Sequence, residues 1–408
     1  MTRGVRLLYI TYHENVLGSG ILYTQVIEML ERLRSLEEDA SIVLLSFMSP
    51  QLLWRERAGF KALGSKLENA GIRFIALPML VPTPSPIGLQ FFICLWLLPV
   101  LLTALYYNSR VIHSRSYIAG MLGLAASTLL GVPLVFDPRG PFPEEMIMNG
   151  VWRRSSVTFR IWKKLEGLLI RRAGATIGVT PEFRDEFRRR GAQRSVFVPN
   201  RTDTTRFHNA VREFRESGPG RPGVRCELLF IGEMFAVWND PYLVAKHFIA
   251  LLKHHPNARL RLITRAGIER ALDYLAARGV DPSRVLHQSG APQEMPRLMQ
   301  GATFGLIFRA VDIHSMWSVK FAEYLAAGIP IIVDRSMVGL PVEIIRRRRL
   351  GFIADPDRPD DYRIVDDILA SWREWSDRCI EYARRRLDVR STSRQFLRLY
   401  RILTSAPQ

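Results

Sequence analysis

Short apolar runs alternate with longer amphipathic stretches from one end of the chain to the other. Residues 5–10, 41–47, 73–77, 111–113, 133–137, 175–180 and 195–199 read as strands, and intervening stretches such as 20–36 read as helices. Strands apolar on both faces and separated by helices are expected to run parallel, covered on two sides. Around residues 214–225 the pattern gives way to Glu-Ser-Gly-Pro-Gly-Arg-Pro-Gly, a composition that suits a linker. The alternation then restarts, with strands at 227–232, 259–264, 285–288, 303–308 and 330–333. The pattern predicts two Rossmann-like domains, 1–213 and 225–385, followed by a C-terminal helix at 386–408 that packs back toward the first domain.

One segment departs from the alternation. Residues 88–107 contain no charged side chain over twenty positions, long enough to cross a bilayer. Pro99 interrupts it, a strand-like run follows at 111–113, and a Rossmann-like domain needs a helix there. The segment is expected to be a buried or membrane-dipping helix.

Composition narrows the classes. With 408 residues, 48% hydrophobic and 24% charged, the chain is globular and large enough for two cores. Its three scattered cysteines, Cys94, Cys226 and Cys379, form neither a disulfide framework nor a metal-binding CxxC, which suits a reducing compartment. The N-terminus lacks the apolar core of a signal peptide, so the expected location is cytoplasmic. The net charge of +18 is concentrated: residues 151–194 hold twelve Lys/Arg against four Asp/Glu. Such a surface attracts anionic lipid or phosphorylated substrates, and the inner face of a membrane is an expected partner. No nucleic-acid motif accompanies the charge, so nucleic acid is not an expected partner.

Candidate chemistry lies at the ends of the predicted strands, where open parallel sheets hold ligands. The loop after the first strand contains Gly18 and Gly20, which let backbone N–H groups approach an anion. His113 and Arg115 end one strand. Asp137 and Arg139 end another, with Glu144 and Glu145 beyond. Together these supply an acid/base pair and cationic anchors facing one crevice. In the second half, Ser315 and Ser318 open a helix that carries Lys320 and Glu323 and stops at Gly328-Ile329-Pro330. A helix N-terminus suits a diphosphate, and a carboxylate along the helix suits ribose hydroxyls. Gly232 and Arg265 end two further strands of that half.

The run Lys320-Phe321-Ala322-Glu323-Tyr324-Leu325-Ala326-Ala327-Gly328-Ile329-Pro330 resembles the signature of the family 4 (group 1) glycosyltransferases. Val198-Pro199-Asn200-Arg201-Thr202-Asp203, Phe230-Ile231-Gly232 and Phe136-Asp137-Pro138-Arg139-Gly140 resemble further passages of that family. The resemblance implies the GT-B fold, two Rossmann-like domains facing a central cleft. It implies a retaining, metal-independent enzyme without a cofactor, moving sugar from a nucleoside-diphosphate donor to a glycan or lipid-linked acceptor. By it, Glu323 holds the donor ribose and the backbone near Ser315 and Ser318 holds the diphosphate. Two features depart from the family: Ser315 stands where a first Glu belongs, and the Arg and Lys usual after the Gly232 strand are missing. Arg265 and Lys320 are the substitutes within reach. The departures support an alternative, a GT-B protein that binds nucleotide or glycan without turnover.

Overall fold

The computed structural model describes residues 4–13, 17, 22–80, 85–216, 226–236, 238–308 and 317–405. The chain divides into two compact units, Met1–Pro199 with Val389–Gln408, and Asn200–Asp388.

The first unit is built on seven strands, β1 (Arg6–Tyr12), β2 (Ser41–Met48), β3 (Ile72–Pro78), β4 (Val111–Arg115), β5 (Leu134–Asp137), β6 (Ala175–Gly178) and β7 (Ser195–Phe197). Every described pairing is parallel and the order is β3-β2-β1-β4-β5-β6-β7. Alternate residues of one strand serve opposite layers, because a strand turns successive side chains to opposite faces. Leu7 and Tyr9 join a core with the helices Glu28–Leu36 and Val389–Ser405. Leu8 and Ile10 join a core with the helices Pro86–Tyr106, Tyr117–Leu130 and Val157–Arg172.

The apolar helix Pro86–Tyr106 begins at a Ser85 cap with Pro86 in its first turn and tolerates Pro99 internally. It buries Leu89, Phe92, Val100 and Ala104 on the sheet. The strands it connects, β3 and β4, run parallel in the same sheet. A bilayer-spanning helix would strand one of them on the far side, so this helix lies along the sheet.

The second unit repeats the plan with six strands, β8 (Glu227–Ile231), β9 (Arg259–Ile263), β10 (Val285–Gln288), β11 (Phe304–Ile307), β12 (Ile331–Asp334) and β13 (Gly351–Ala354). They are parallel in the order β10-β9-β8-β11-β12-β13. In both sheets the order reverses beside the first strand, between β1 and β4 and between β8 and β11. The crevice at such a reversal, outside the carboxyl ends of the strands, is where doubly wound sheets bind ligands.

The sequence pattern did not announce β13. Gly351 has φ 149°, and a Cβ there would lie 1.9 Å from the Ile331 carbonyl oxygen, so close strand contact requires the glycine. The boundary also differs from the one read from composition. Helix Thr204–Glu216 belongs to the second unit. Its entry is fixed there by Thr202 N donating to Leu387 O (3.0 Å) and by a Thr204–Asp388 hydrogen bond. Residues 217–225, which hold most of the Gly/Pro-rich run, lie outside the described residues.

Candidate functional site

In the first unit, β4 and β5 are in register so that Arg115 lies opposite Asp137. One carboxylate oxygen, Asp137 Oδ2, stands 3.6 Å from Arg115, 3.9 Å from Arg139 and 3.9 Å from His113 Nε2. Burial alone would raise the Asp137 pKa, but Arg139, His113 and Arg115 outweigh it and bring it to about 2. His113 is fully buried, and that burial lowers its pKa despite Asp137, leaving a neutral ring at pH 7. The ring stacks on Tyr9 with centroids 4.4 Å apart, and Nδ1 pairs with the Tyr400 hydroxyl at 2.7 Å.

These four residues were expected to face a crevice. The structure brings them together but buries His113, Arg115 and Asp137. His113 shares the face of Val111, against which the C-terminal helix packs, so it points into a core layer. Arg139 keeps about a fifth of its side chain exposed (19%) and is the member of the cluster that reaches solvent.

Backbone geometry marks the same edge. His13 (φ 56°), Ser116 (φ 82°) and Arg139 (φ 69°) adopt positive φ just past the ends of β1, β4 and β5. Each conformation costs on the order of 1 kcal/mol and persists where surrounding contacts hold it, a common property of binding edges. Beyond Arg139, Glu145 is pushed up to about 7 by burial and by Glu144, partly opposed by Arg139. Glu144 pairs with Lys163 at 2.9 Å. The buried Glu166 is held ionised by Arg190 and Lys163 and accepts from the Tyr117 hydroxyl at 2.7 Å. Gly18 and Gly20 lie outside the described residues.

In the second unit, β8 is followed at once by Gly232, whose φ of 95° suits a residue without a Cβ. A Cβ there would lie 3.7 Å from Lys320 Cε and 3.9 Å from Nζ. Lys320 therefore extends from helix Val319–Ala326, which follows β11, to the end of β8, across the point where strand order reverses. Its ammonium sits 4.1 Å from the Phe230 ring centroid and donates to Asn239 Oδ1 at 3.1 Å. Asn239 in turn donates to the Glu233 carbonyl at 2.7 Å. Ser318 occupies the N-cap position with its hydroxyl outside any capping bond. Glu323, three residues beyond Lys320 and on the same helical face, is buried. Arg265 leaves β9 exposed and donates to Gly290 O at 2.9 Å. Ser315 lies outside the described residues.

Sequence reasoning missed a third cluster. His247, on helix Pro241–His254, pairs through Nε2 with Asp334 at 2.8 Å and through Nδ1 with the Tyr362 hydroxyl at 2.7 Å. Its ring stacks on Phe308 with centroids 4.2 Å apart. Burial would raise the Asp334 pKa, but hydrogen bonds from His247 and Ser336 bring it to about 2. The available signal was a histidine among the apolar positions of an otherwise core-facing helix.

Residues 23–201 match the family model of the glycosyl transferase 4-like domain. The match spans less than half of the chain. It covers β2 to β7 and the whole charged cluster around Asp137. Among curated proteins none matches the chain significantly. Solved structures share the architecture over nearly the full length. Anabaena Alr3699/HepE, solved with UDP and glucose, is 15% identical, with TM-score 0.65 over 98% of this chain and all of that one. Sucrose-phosphate synthase from Thermosynechococcus elongatus is 14% identical, with TM-score 0.69 over 98% and 100%. A glycosyltransferase from Rickettsia africae is 13% identical, with TM-score 0.66 over 99% and 100%. These structures share the architecture of two parallel α/β units, the GT-B fold that the sequence resemblance implied.

Proposed function

We propose that this chain is a glycosyltransferase that moves a sugar from a nucleoside diphosphate, UDP foremost, to a hydroxyl of a glycan or lipid-linked acceptor. The setting this reading implies is polysaccharide or glycolipid assembly in the cytoplasm. The carrying observation is Lys320, whose ammonium lies beside Gly232 where the strand order of the second sheet reverses. In this reading the Lys320 cation, the glycine backbone and the N-terminus of the helix that carries Lys320 together hold the donor diphosphate. As the donor C–O bond breaks, negative charge grows on the diphosphate, and fixed positive groups there lower the barrier without a metal or a protein nucleophile. Glu323 accepts from the ribose hydroxyls in this reading. Arg139 offers a cation at the edge of the first sheet, and Asp137 and His113 position it. UDP is the preferred nucleotide because Anabaena Alr3699/HepE, of the same fold, was solved with UDP and with UDP-glucose.

Retention follows if the departing phosphate itself takes the acceptor proton on the face it leaves. Proton NMR of UDP-glucose turnover, with water as a slow acceptor, tests both statements. The expected first product is the α anomer of glucose, absent with Glu323→Ala. Release of the β anomer first would overturn retention. Saturable UDP binding with no turnover of any UDP-sugar would establish the non-catalytic alternative, which the Ser315 departure favours.

A further inference from the structure

Helix Pro86–Tyr106 covers the first sheet with one face and leaves the other uncovered. Ile87, Phe91, Leu95, Leu98, Leu102 and Leu105 recur at spacings of three and four and are each 45–68% exposed. They form one continuous apolar stripe along a helix about 31 Å long. Tyr106, at 82% exposed, closes it. No acidic or basic residue occurs anywhere on the helix. Soluble surfaces rarely leave a contiguous apolar patch of this kind without an occupant.

The surrounding charge says what the occupant is. Helix Val157–Arg172 packs in the same layer. In and before it, Arg153, Arg154, Arg160, Lys164, Arg171 and Arg172 are exposed. Between residues 86 and 172 the acids are Asp137, Glu144, Glu145 and Glu166, and each is buried or half-buried. An apolar stripe within a one-signed basic layer fits an anionic bilayer, with leucines below the headgroups and arginines among the phosphates. A second copy of the chain would set the same unopposed cations against each other. We propose that this layer of the first unit is a docking surface for an anionic lipid bilayer, on which helix Pro86–Tyr106 lies flat.

Exposed Cys94 sits on this helix, whereas Cys226 and Cys379 are buried, so a polarity-sensitive fluorophore can be attached there selectively. Two measurements test the proposal on the full chain: the emission of that label and flotation with vesicles of phosphatidylglycerol and phosphatidylcholine in equal parts. The expected result is flotation with a blue-shifted label, and neither with pure phosphatidylcholine. Leu98→Glu with Leu102→Glu should abolish both while leaving the melting temperature unchanged, since both side chains already face solvent. Arg153→Gln with Arg154→Gln should weaken binding about fivefold per arginine at low salt. No flotation of the wild type, or flotation undiminished by the leucine substitutions, overturns the proposal. So does a wild-type dimer in lipid-free buffer that the leucine substitutions dissolve. Docking requires nothing of the transfer reaction, so a protein that floats but transfers no sugar counts against the proposed activity alone.

Discussion

Lys320→Met is expected to lower kcat/KM for the nucleotide sugar by roughly 10²–10³-fold, the range for removing one preorganised charge from a developing anion. Methionine keeps the length and apolar stem of lysine, so packing against Phe230 survives while the ammonium is lost. The effect should fall mainly on kcat, because charge on the diphosphate grows as the sugar departs. Lys320→Arg is a poor rescue. A planar, delocalised guanidinium does not place its charge at the point beside Gly232 where the compact ammonium sits. Steady-state kinetics with a fixed acceptor checks this. An equal loss in Lys320→Met confined to KM would assign Lys320 to ground-state binding.

Asp137→Asn is expected to destabilise the first unit by about 3 kcal/mol, because Arg115 loses its buried countercharge. For a unit of this size the melting temperature should fall by roughly 10 °C. The pH dependence has a definite sign. A carboxylate depressed from 3.8 to about 2 contributes stability that is full above the unfolded pKa and lost as pH falls through the folded one. Wild-type protein should therefore lose stability between about pH 4 and pH 2 more steeply than the variant. Denaturant titrations at pH 7, 4 and 2.5 measure the difference. A variant with unchanged stability at pH 7 would show that Asp137 is not the countercharge of the cluster.

The strands were legible because each is a short apolar run, and twelve of thirteen appear in the pattern within a few residues. The exception, β13, is four residues opening on a glycine after a run of arginines, so neither length nor context signals it. The cluster at Asp137 was legible as residues but not as an environment. His113 meets Tyr400 across 287 positions of sequence, and no local pattern reports that a distant helix will close over a strand end. Conversely, the charge-free run at 88–107 gave its helix but not its orientation, which follows from β3 and β4 sharing one parallel sheet. The Lys320 site was legible because its pieces lie within single motifs. Its meeting with Gly232 required the strand order.

The proposed function places a nucleoside diphosphate at the reversal point of the second sheet. Amide hydrogen exchange with and without saturating UDP tests it most directly. Protection is predicted at residues 231–233 and 318–323, and it should disappear in Lys320→Met. Bound UDP that leaves both segments unprotected would contradict the claim and place the nucleotide elsewhere.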